Sequence, residues 1–150
     1  MLRAIELAKL ATETDDVPVG CVIVKNGEII AEASNMKEKE NDATKHAEMV
    51  AISNATKVLN NWWLEDCEVY VTLEPCPMCA GAIIQSRIKN VFFGAKDPKS
   101  GCVSSKVELF KQNLFNHNVN FADKVLESEC SEILKEFFSE LRKVDKEKKL

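Results

Sequence analysis

Apolar residues follow two different spacings along this chain, one typical of helices and one typical of strands. Residues 2–13 place Leu2 and Ile5 on one side of a helix, because residues three or four positions apart share a helical face. The segment "CVIVKNGEIIAEAS" contains two extended runs separated by Asn26 and Gly27, which tolerate the positive φ of a tight hairpin turn. The pattern therefore predicts a helix followed by an antiparallel pair of strands.

The rest of the chain continues to alternate between the two spacings. The polar stretch 36–45 predicts a loop, and the stretch 46–59, rich in Ala, Met, Val and Ile, predicts a helix. The pattern further predicts strands at 67–73, at 90–95 and in the weak run "NVNFA", and helices at 77–87, 105–113 and 126–146. Strands that alternate with helices indicate one α/β domain over residues 1–150, with a mixed sheet covered by helices on both faces.

Composition and charge narrow the class of protein. The chain has 150 residues, of which 45% are hydrophobic and 29% are charged, which is enough for a core without disulfide bonds. The net charge of -4 and the pI of 5.3 argue against non-specific coating of nucleic acid, but they permit a compact site for one RNA loop. We see no signal segment and no apolar run of the ~18 residues that a membrane span needs, so we expect a cytoplasmic protein without a membrane partner.

One histidine and two cysteines suggest a metal site. Cys76 and Cys79 form a Cys-x-x-Cys pair at the first turn of a predicted helix, where the positive end of the helix dipole favours thiolates. His46 begins another predicted helix, and no fourth ligand is evident, since the only other histidine is His117. Catalytic zinc sites combine three protein ligands with one open position, so we expect these three residues to hold a catalytic zinc ion.

Glu48 lies two residues after His46, and side chains at this spacing do not share a helical face. We therefore expect Glu48 to border the same cavity instead of binding the metal. Zinc lowers the pKa of a bound water to about 7, and a neighbouring carboxylate can accept and return the proton. This combination suits hydrolytic deamination, in which water replaces an amino group on a ring carbon.

Each of these motifs also has a simpler interpretation. Glu48 could be a favourable charge at a helix start, and a Cys-x-x-Cys pair alone could be redox-active. The combination, with Pro75 before the first cysteine, is the known His-x-Glu and Pro-Cys-x-x-Cys signature of zinc-dependent deaminases. A redox protein would leave His46 and Glu48 unexplained.

Longer stretches carry a more specific resemblance. They are "VPVGCVIVKNGEIIAEASN", "HAEMVAI", "EVYVTLEPCPMCAGAIIQSRIKNVFFGAKDPKSG", "FNH" and "ILKEFFSELRK", and they span nearly the whole chain. By these stretches the chain resembles the bacterial tRNA-specific adenosine deaminases of the cytidine-deaminase-like superfamily. The resemblance implies a three-layer α/β/α sandwich with a mixed five-stranded sheet, a homodimer and one zinc ion per subunit. It also implies conversion of adenosine to inosine at the wobble position of a tRNA anticodon loop, in an arginine tRNA.

The same resemblance implies roles for individual residues. His46, Cys76 and Cys79 match the zinc ligands, and Glu48 matches the proton shuttle. Asn35 matches an asparagine that contacts the target base, and a plain turn residue is the alternative. The other positions that match substrate contacts are Val19, Ala47, Asn116, His117, Phe138 and Arg142. For several of these, a strand start, a surface loop or core packing is the alternative.

Departures from the family pattern bear on the choice of substrate. Ala43 replaces a proline in the loop before the histidine, Lys45 adds a cation, and Pro77 stands where valine is common. The run "PCPMC" is also frequent in guanine deaminases, so a guanine or cytosine/nucleoside deaminase is the alternative function. A non-catalytic, zinc-stabilised RNA-binding module is a further alternative, against which the three-ligand set and Glu48 argue.

Overall fold

The computed structural model describes residues 1–150 and contains four α-helices and five strands. The helices are α1 (Leu2–Ala11), α2 (Ala47–Leu59), α3 (Pro77–Gln85) and α4 (Glu127–Lys148), and a short 3-10 turn spans Thr12–Thr14. The strands are β1 (Gly20–Lys25), β2 (Glu28–Ser34), β3 (Cys67–Leu73), β4 (Asn90–Ala95) and β5 (Asn120–Ala122). The predicted alternation of helices and strands is confirmed except between β4 and β5.

The strands form one sheet in the order β2-β1-β3-β4-β5. Strand β1 is antiparallel to both of its neighbours, with Cys21 opposite Ala33 on β2 and opposite Val71 on β3. Strands β3, β4 and β5 run parallel, and Val71 lies beside Phe93. The predicted mixed sheet is therefore confirmed, and its parallel half places the carboxyl ends of β3 and β4 side by side.

The predicted hairpin between β1 and β2 is also confirmed. Asn26 and Gly27 have φ angles of 52° and 79°, as a two-residue turn with positive φ requires. Glycine adopts this backbone without steric cost, and asparagine tolerates it. The turn starts the pairing, which shifts once between Ile23 and Val24, and β2 ends at Ser34 opposite Gly20, immediately before Asn35.

Helices cover both faces of the sheet. Helices α1 and α4 pack together on one face, and α2 and α3 pack together on the other. The main apolar core includes Ala51 of α2 and Ile83 of α3, whereas Ile5 and Cys130 belong to a separate cluster beneath α1 and α4. This arrangement is the expected three-layer α/β/α sandwich.

The helix predicted at 105–113 is wrong, because these residues form turns. The backbone N–H groups of Ser104 and Ser105 donate to the carboxylate of Glu74, a residue far away in the sequence. Asn113 has a φ of 63°, which a right-handed helix does not contain. The N–H of Leu109, which a helix starting at residue 105 would direct to Ser105, donates instead to the carbonyl oxygen of Cys102 at 3.0 Å, so a wider turn replaces the helical hydrogen bond.

Two further expectations concern cysteines and membranes. All six cysteines are free thiols, as the sequence analysis expected. No helix combines the length and the apolar character that crossing a membrane would require.

Candidate active site

The N-termini of α2 and α3 meet beside the sheet. His46 is the N-cap residue of α2 and Cys76 is the N-cap residue of α3, and both have extended backbone, with ψ of 153° and 176°. Pro77 follows as the first residue of α3, where its missing N–H removes no helical hydrogen bond. Both helix dipoles therefore direct partial positive charge to this point, which favours anionic groups such as thiolates.

His46, Cys76 and Cys79 are close enough to bind one metal ion. The Nδ1 atom of His46 lies 3.5 Å from Sγ of Cys76 and 3.6 Å from Sγ of Cys79, and all three donor atoms lie within 4.8 Å of one another. In a tetrahedral shell, metal bonds of about 2.0–2.3 Å separate the donor atoms by roughly 3.5 Å. No other residue belongs to this group. One nitrogen and two sulfurs thus fit a metal ion, and they leave a fourth position without a protein ligand.

The two thiols differ in acidity. A hydrogen bond from Cys79 to its sulfur, followed by the interaction with His46, lowers the pKa of Cys76 to about 4. The same hydrogen bond, together with burial, raises the pKa of Cys79. The hydrogen bond with Cys76 also raises the pKa of His46. Cys76 is therefore the thiol that gives up its proton more readily, and binding of a cation through Cys79 would require the loss of its proton as well.

Glu48, in the first turn of α2, is buried beside these ligands with only 4% of its surface exposed. Burial is the largest cause that raises the pKa of Glu48 to about 7, and the charge of Cys76 acts in the same direction. Glu48 is not part of the metal-binding group, as the helical spacing predicts. A carboxyl group with a pKa near neutrality can both accept and donate a proton.

A small pocket opens onto the metal-binding group. Its volume is about 210 Å³, below the roughly 300–1,000 Å³ of pockets for drug-sized ligands. The pocket is lined by His46, Ala47, Glu48 and Cys76 at the helix starts, by Val17, Val19, Asn35 and Lys37 around β1 and β2, and by Leu73, Glu74, Asp97 and Ser100 at or after the ends of β3 and β4. The structure thus brings the predicted residues Val19, Asn35 and Ala47 into one pocket with the candidate metal site.

Asn35 is held in this pocket by hydrogen bonds on both sides of its amide. Its Nδ2 donates to the carbonyl oxygen of Val17 at 3.1 Å, and its Oδ1 accepts the N–H of Lys37 at 3.2 Å. An asparagine amide has two N–H donors and two lone pairs on its oxygen. One N–H and one lone pair of Asn35 are therefore left for a ligand, so its turn geometry and a role in binding are compatible.

Four of the residues predicted to contact substrate do not line this pocket. Asn116 is exposed, and His117 is half-buried with its Nε2 2.7 Å from the carbonyl oxygen of Ile88, before β4 begins. Phe138 and Arg142 lie exposed on α4. Their contacts with RNA stay predictions.

Several polar residues of the pocket were not predicted from the sequence. Lys37 lines it, whereas Lys45, which the sequence singled out, lines a separate surface cleft. Glu74 carries a recognisable signal, because it is a charged residue between an apolar strand and the Pro-Cys-x-x-Cys motif. No local pattern marks Asp97 or Ser100, since only the sheet order brings their loop beside α3.

Known proteins are similar to this chain in sequence and in fold. The family model of the MafB19-like deaminases matches residues 1–142. The tRNA-specific adenosine deaminase of Bacillus subtilis (strain 168) is 51% identical over 146 residues, which are 97% of this chain and 91% of that protein. A solved structure from a study of A-to-I editing by tRNA:A34 deaminases at the wobble position of transfer RNA has a TM-score of 0.84 and 43% identity, covering 87% of this chain and 95% of that chain.

A guanine deaminase is also similar over part of the chain. The structure of guanine deaminase from Bacillus subtilis has a TM-score of 0.61 and 48% identity, and it covers 63% of this chain and 61% of that chain. The match to the tRNA-specific enzyme extends over 97% of this chain at a higher identity. The chain therefore belongs to the MafB19-like deaminase family and to the tRNA-specific adenosine deaminases.

Proposed function

We propose that this protein is a zinc-dependent enzyme that converts adenosine to inosine at the wobble position of a tRNA anticodon loop, in an arginine tRNA. Residues 1–150 form a single deaminase domain, which acts in the cytoplasm as a homodimer with one Zn²⁺ per subunit. The observation that carries the proposal is the burial of Glu48 beside His46, Cys76 and Cys79 in a pocket suited to one small ring. The 51% sequence identity to a tRNA-specific adenosine deaminase, over 97% of this chain, supports this substrate.

The proposed reaction needs two kinds of residue, the metal ligands and a group that transfers protons. His46, Cys76 and Cys79 would hold the zinc ion, which, when bound, activates water for addition to a ring carbon. Glu48 accepts one proton as water adds and donates it to the ring nitrogen, and it then accepts the second proton of the added water and donates it to the leaving amino group. Adenosine and water thus become inosine and ammonia, and Glu48 returns to its starting state.

The pocket would receive only the target base. Bases that are modified inside nucleic acids are turned out of the stack into a small pocket, which matches the volume of about 210 Å³. Asn35 would hold the base through its remaining N–H and lone pair, with Ala47 and Val19 as neighbouring walls. The predicted contacts with the rest of the anticodon stem-loop are Asn116, His117, Phe138 and Arg142, of which the aromatic and guanidinium groups suit stacking on unpaired bases.

Guanine deamination is the second candidate function. Pro77 gives the run "PCPMC", which is frequent in guanine deaminases, and a guanine deaminase structure matches 63% of this chain. Free guanine and a flipped-out adenine are both single purine rings, so pocket size alone does not separate them. The two functions differ in whether RNA surrounds the base.

The experiment compares three substrates with the zinc-loaded protein. The protein is incubated with an adenosine-containing anticodon stem-loop, with free guanine and with cytidine, and products are measured by mass spectrometry and ammonia release. We expect inosine in the stem-loop and no ammonia from guanine or cytidine. Ammonia from guanine alone would establish the second candidate and reject the first.

A further inference from the structure

The buried carboxylate of Glu74 binds the loop that follows β4. The side chain is 2% exposed. It accepts the backbone N–H groups of Asp97 at 3.1 Å, Val103 at 3.1 Å, Ser104 at 2.9 Å and Ser105 at 3.0 Å, and it also accepts the hydroxyl of Ser105. One side chain thus satisfies four backbone donors of a single loop.

The loop is fitted closely around this carboxylate. A Cβ atom at Gly101 would lie 2.4 Å from Cδ of Glu74 and 2.5 Å from each of its oxygens, so glycine is the residue that fits there. Within the loop, the N–H of Gly101 donates to the carbonyl oxygen of Asp97 at 2.8 Å. The Asp97 side chain accepts the N–H of Ser100 at 3.2 Å. Residues 97–105 therefore turn around Glu74 as a common centre.

The same loop forms a wall of the pocket. Asp97 and Ser100 line the pocket together with Cys76 and Glu48. The loop is also joined to the residue before Cys76, because the N–H of Cys102 donates to the carbonyl oxygen of Pro75 at 2.9 Å. A change in the loop would therefore change the shape of the pocket.

Glu74 itself is not available for proton transfer. Its Oε1 accepts two hydrogen bonds and its Oε2 accepts three, whereas a carboxylate offers about four lone-pair sites in all. We propose that Glu74 is a positioning residue, which holds Asp97 and Ser100 as a wall of the base pocket and thereby sets how tightly the RNA substrate binds. This inference rests on the proposed function, because the occupant of the pocket is taken to be the target base.

The test is Glu74→Gln in the zinc-loaded protein. Glutamine turns one acceptor oxygen into an NH₂ group that faces backbone N–H donors, so the loop loses hydrogen bonds and loosens. We expect KM for the anticodon stem-loop to rise about tenfold, the equivalent of about one hydrogen bond, while kcat changes far less. We also expect zinc content to stay at the wild-type level and hydrogen–deuterium exchange to become faster at the amides of residues 103–105.

The matched control is Glu68→Gln, the same substitution on β3. The side chain of Glu68 is half-buried, accepts only the hydroxyl of Tyr70 at 3.3 Å and does not line the pocket. The KM of Glu68→Gln and its hydrogen–deuterium exchange in the loop should therefore equal those of the wild type. A folded, zinc-loaded Glu74→Gln with wild-type KM or wild-type loop exchange overturns the positioning role alone. Loss of zinc from this variant also overturns it, since Glu74 would then act on the ligands. Absence of inosine with the wild type rejects the proposed function, and the inference with it.

If Glu74→Gln does not fold, the milder substitution Ser105→Ala tests the same proposal. It removes the hydroxyl that donates to Glu74 and leaves the four backbone donors in place. We expect a rise in KM of about two- to fivefold and faster exchange at residues 103–105. Wild-type values of both quantities would overturn the inference.

Discussion

Glu48 and Glu74 are two buried glutamates of the same pocket, and their surroundings are opposite. Glu48 is 4% exposed and Glu74 is 2% exposed, so solvent reaches neither of them freely. Burial raises the pKa of Glu48 to about 7. Burial also acts to raise the pKa of Glu74, but hydrogen bonds from Ser104, Ser105 and other loop residues outweigh it and hold the pKa below the usual value.

The difference shows how one residue type can serve two purposes within a single site. A carboxylate that accepts several backbone N–H groups stays ionised and acts as a fixed anchor. At Glu48 the hydrogen bonds from its own backbone N–H and from Cys79 are too few to outweigh burial, so this carboxyl group gains and loses a proton near neutral pH, as a proton shuttle must. The hydrogen-bond partners, and not the exposure, separate the proposed shuttle Glu48 from the proposed anchor Glu74.

The largest loss of activity is expected from removing a metal ligand. Without the metal ion Glu48 has no activated water to act on, whereas the hydrogen bonds of Glu74 remain. Cys79→Ser should reduce zinc to a small fraction of one ion per chain and abolish activity, because a serine hydroxyl is a far weaker zinc ligand than a thiolate. Elemental analysis and an inosine assay measure both quantities. Wild-type zinc content would reject the ligand set. The control is Cys130→Ser, which changes a buried thiol of α4 away from the pocket.

Glu48→Gln should give the next largest effect, because it removes the proton shuttle and little else. Catalysis by a positioned acid or base contributes about 10²–10⁴-fold, so kcat should fall by that factor while zinc content remains unchanged. The variant is assayed with the anticodon stem-loop under single-turnover conditions. If it retained full activity, the proton shuttle would have to be another group.

The sequence alone identified the chemical centre because its parts lie in short motifs at helix starts. His46, Glu48, Cys76 and Cys79 each stand in a motif that limits where the side chain can point, and the structure brings them to one pocket. The mixed sheet was predictable for a similar reason, since β1, β3 and β4 are short, mostly apolar runs and the hairpin between β1 and β2 has Asn26 before its glycine.

The contacts between Glu74 and the loop after β4 could not be predicted in this way. Glu74 and the loop residues Asp97 and Ser100 come together only because β3 and β4 are parallel neighbours. Ser105 donates its N–H to Glu74, and the helix expected at 105–113 does not form, since the N–H of Leu109 donates to Cys102 instead of to Ser105. Local spacing contains no information about a partner 31 residues away.

Glu74→Gln should reduce stability more than Glu48→Gln does, although Glu48→Gln should reduce the catalytic rate more. Glu74→Gln should lower the free energy of unfolding by about 1–3 kcal/mol, because it leaves buried backbone N–H groups unsatisfied. In the metal-free protein at pH 8, Glu48→Gln should be at least as stable as the wild type. A carboxyl group whose pKa is raised by folding loses its stabilising contribution as pH rises, so ionised Glu48 opposes folding above pH 7. Urea unfolding at pH 5 and pH 8 gives the free energy of unfolding of both variants. Equal decreases for the two variants at pH 8 would contradict the proposed difference between Glu48 and Glu74.

Ser105→Ala should have the smallest effect, and it tests whether the anchor depends on backbone or side-chain donors. The hydroxyl of Ser105 is one of five donors to Glu74, and the other four are backbone N–H groups that the substitution retains. The free energy of unfolding should therefore fall by about 0.5–1.5 kcal/mol, less than for Glu74→Gln. Urea unfolding of both variants and of the double variant measures their coupling, since a shared hydrogen bond makes the double variant less destabilised than the sum of the two. Additive losses would mean that Ser105 stabilises the loop independently of Glu74, and the anchor would then consist of the backbone donors alone.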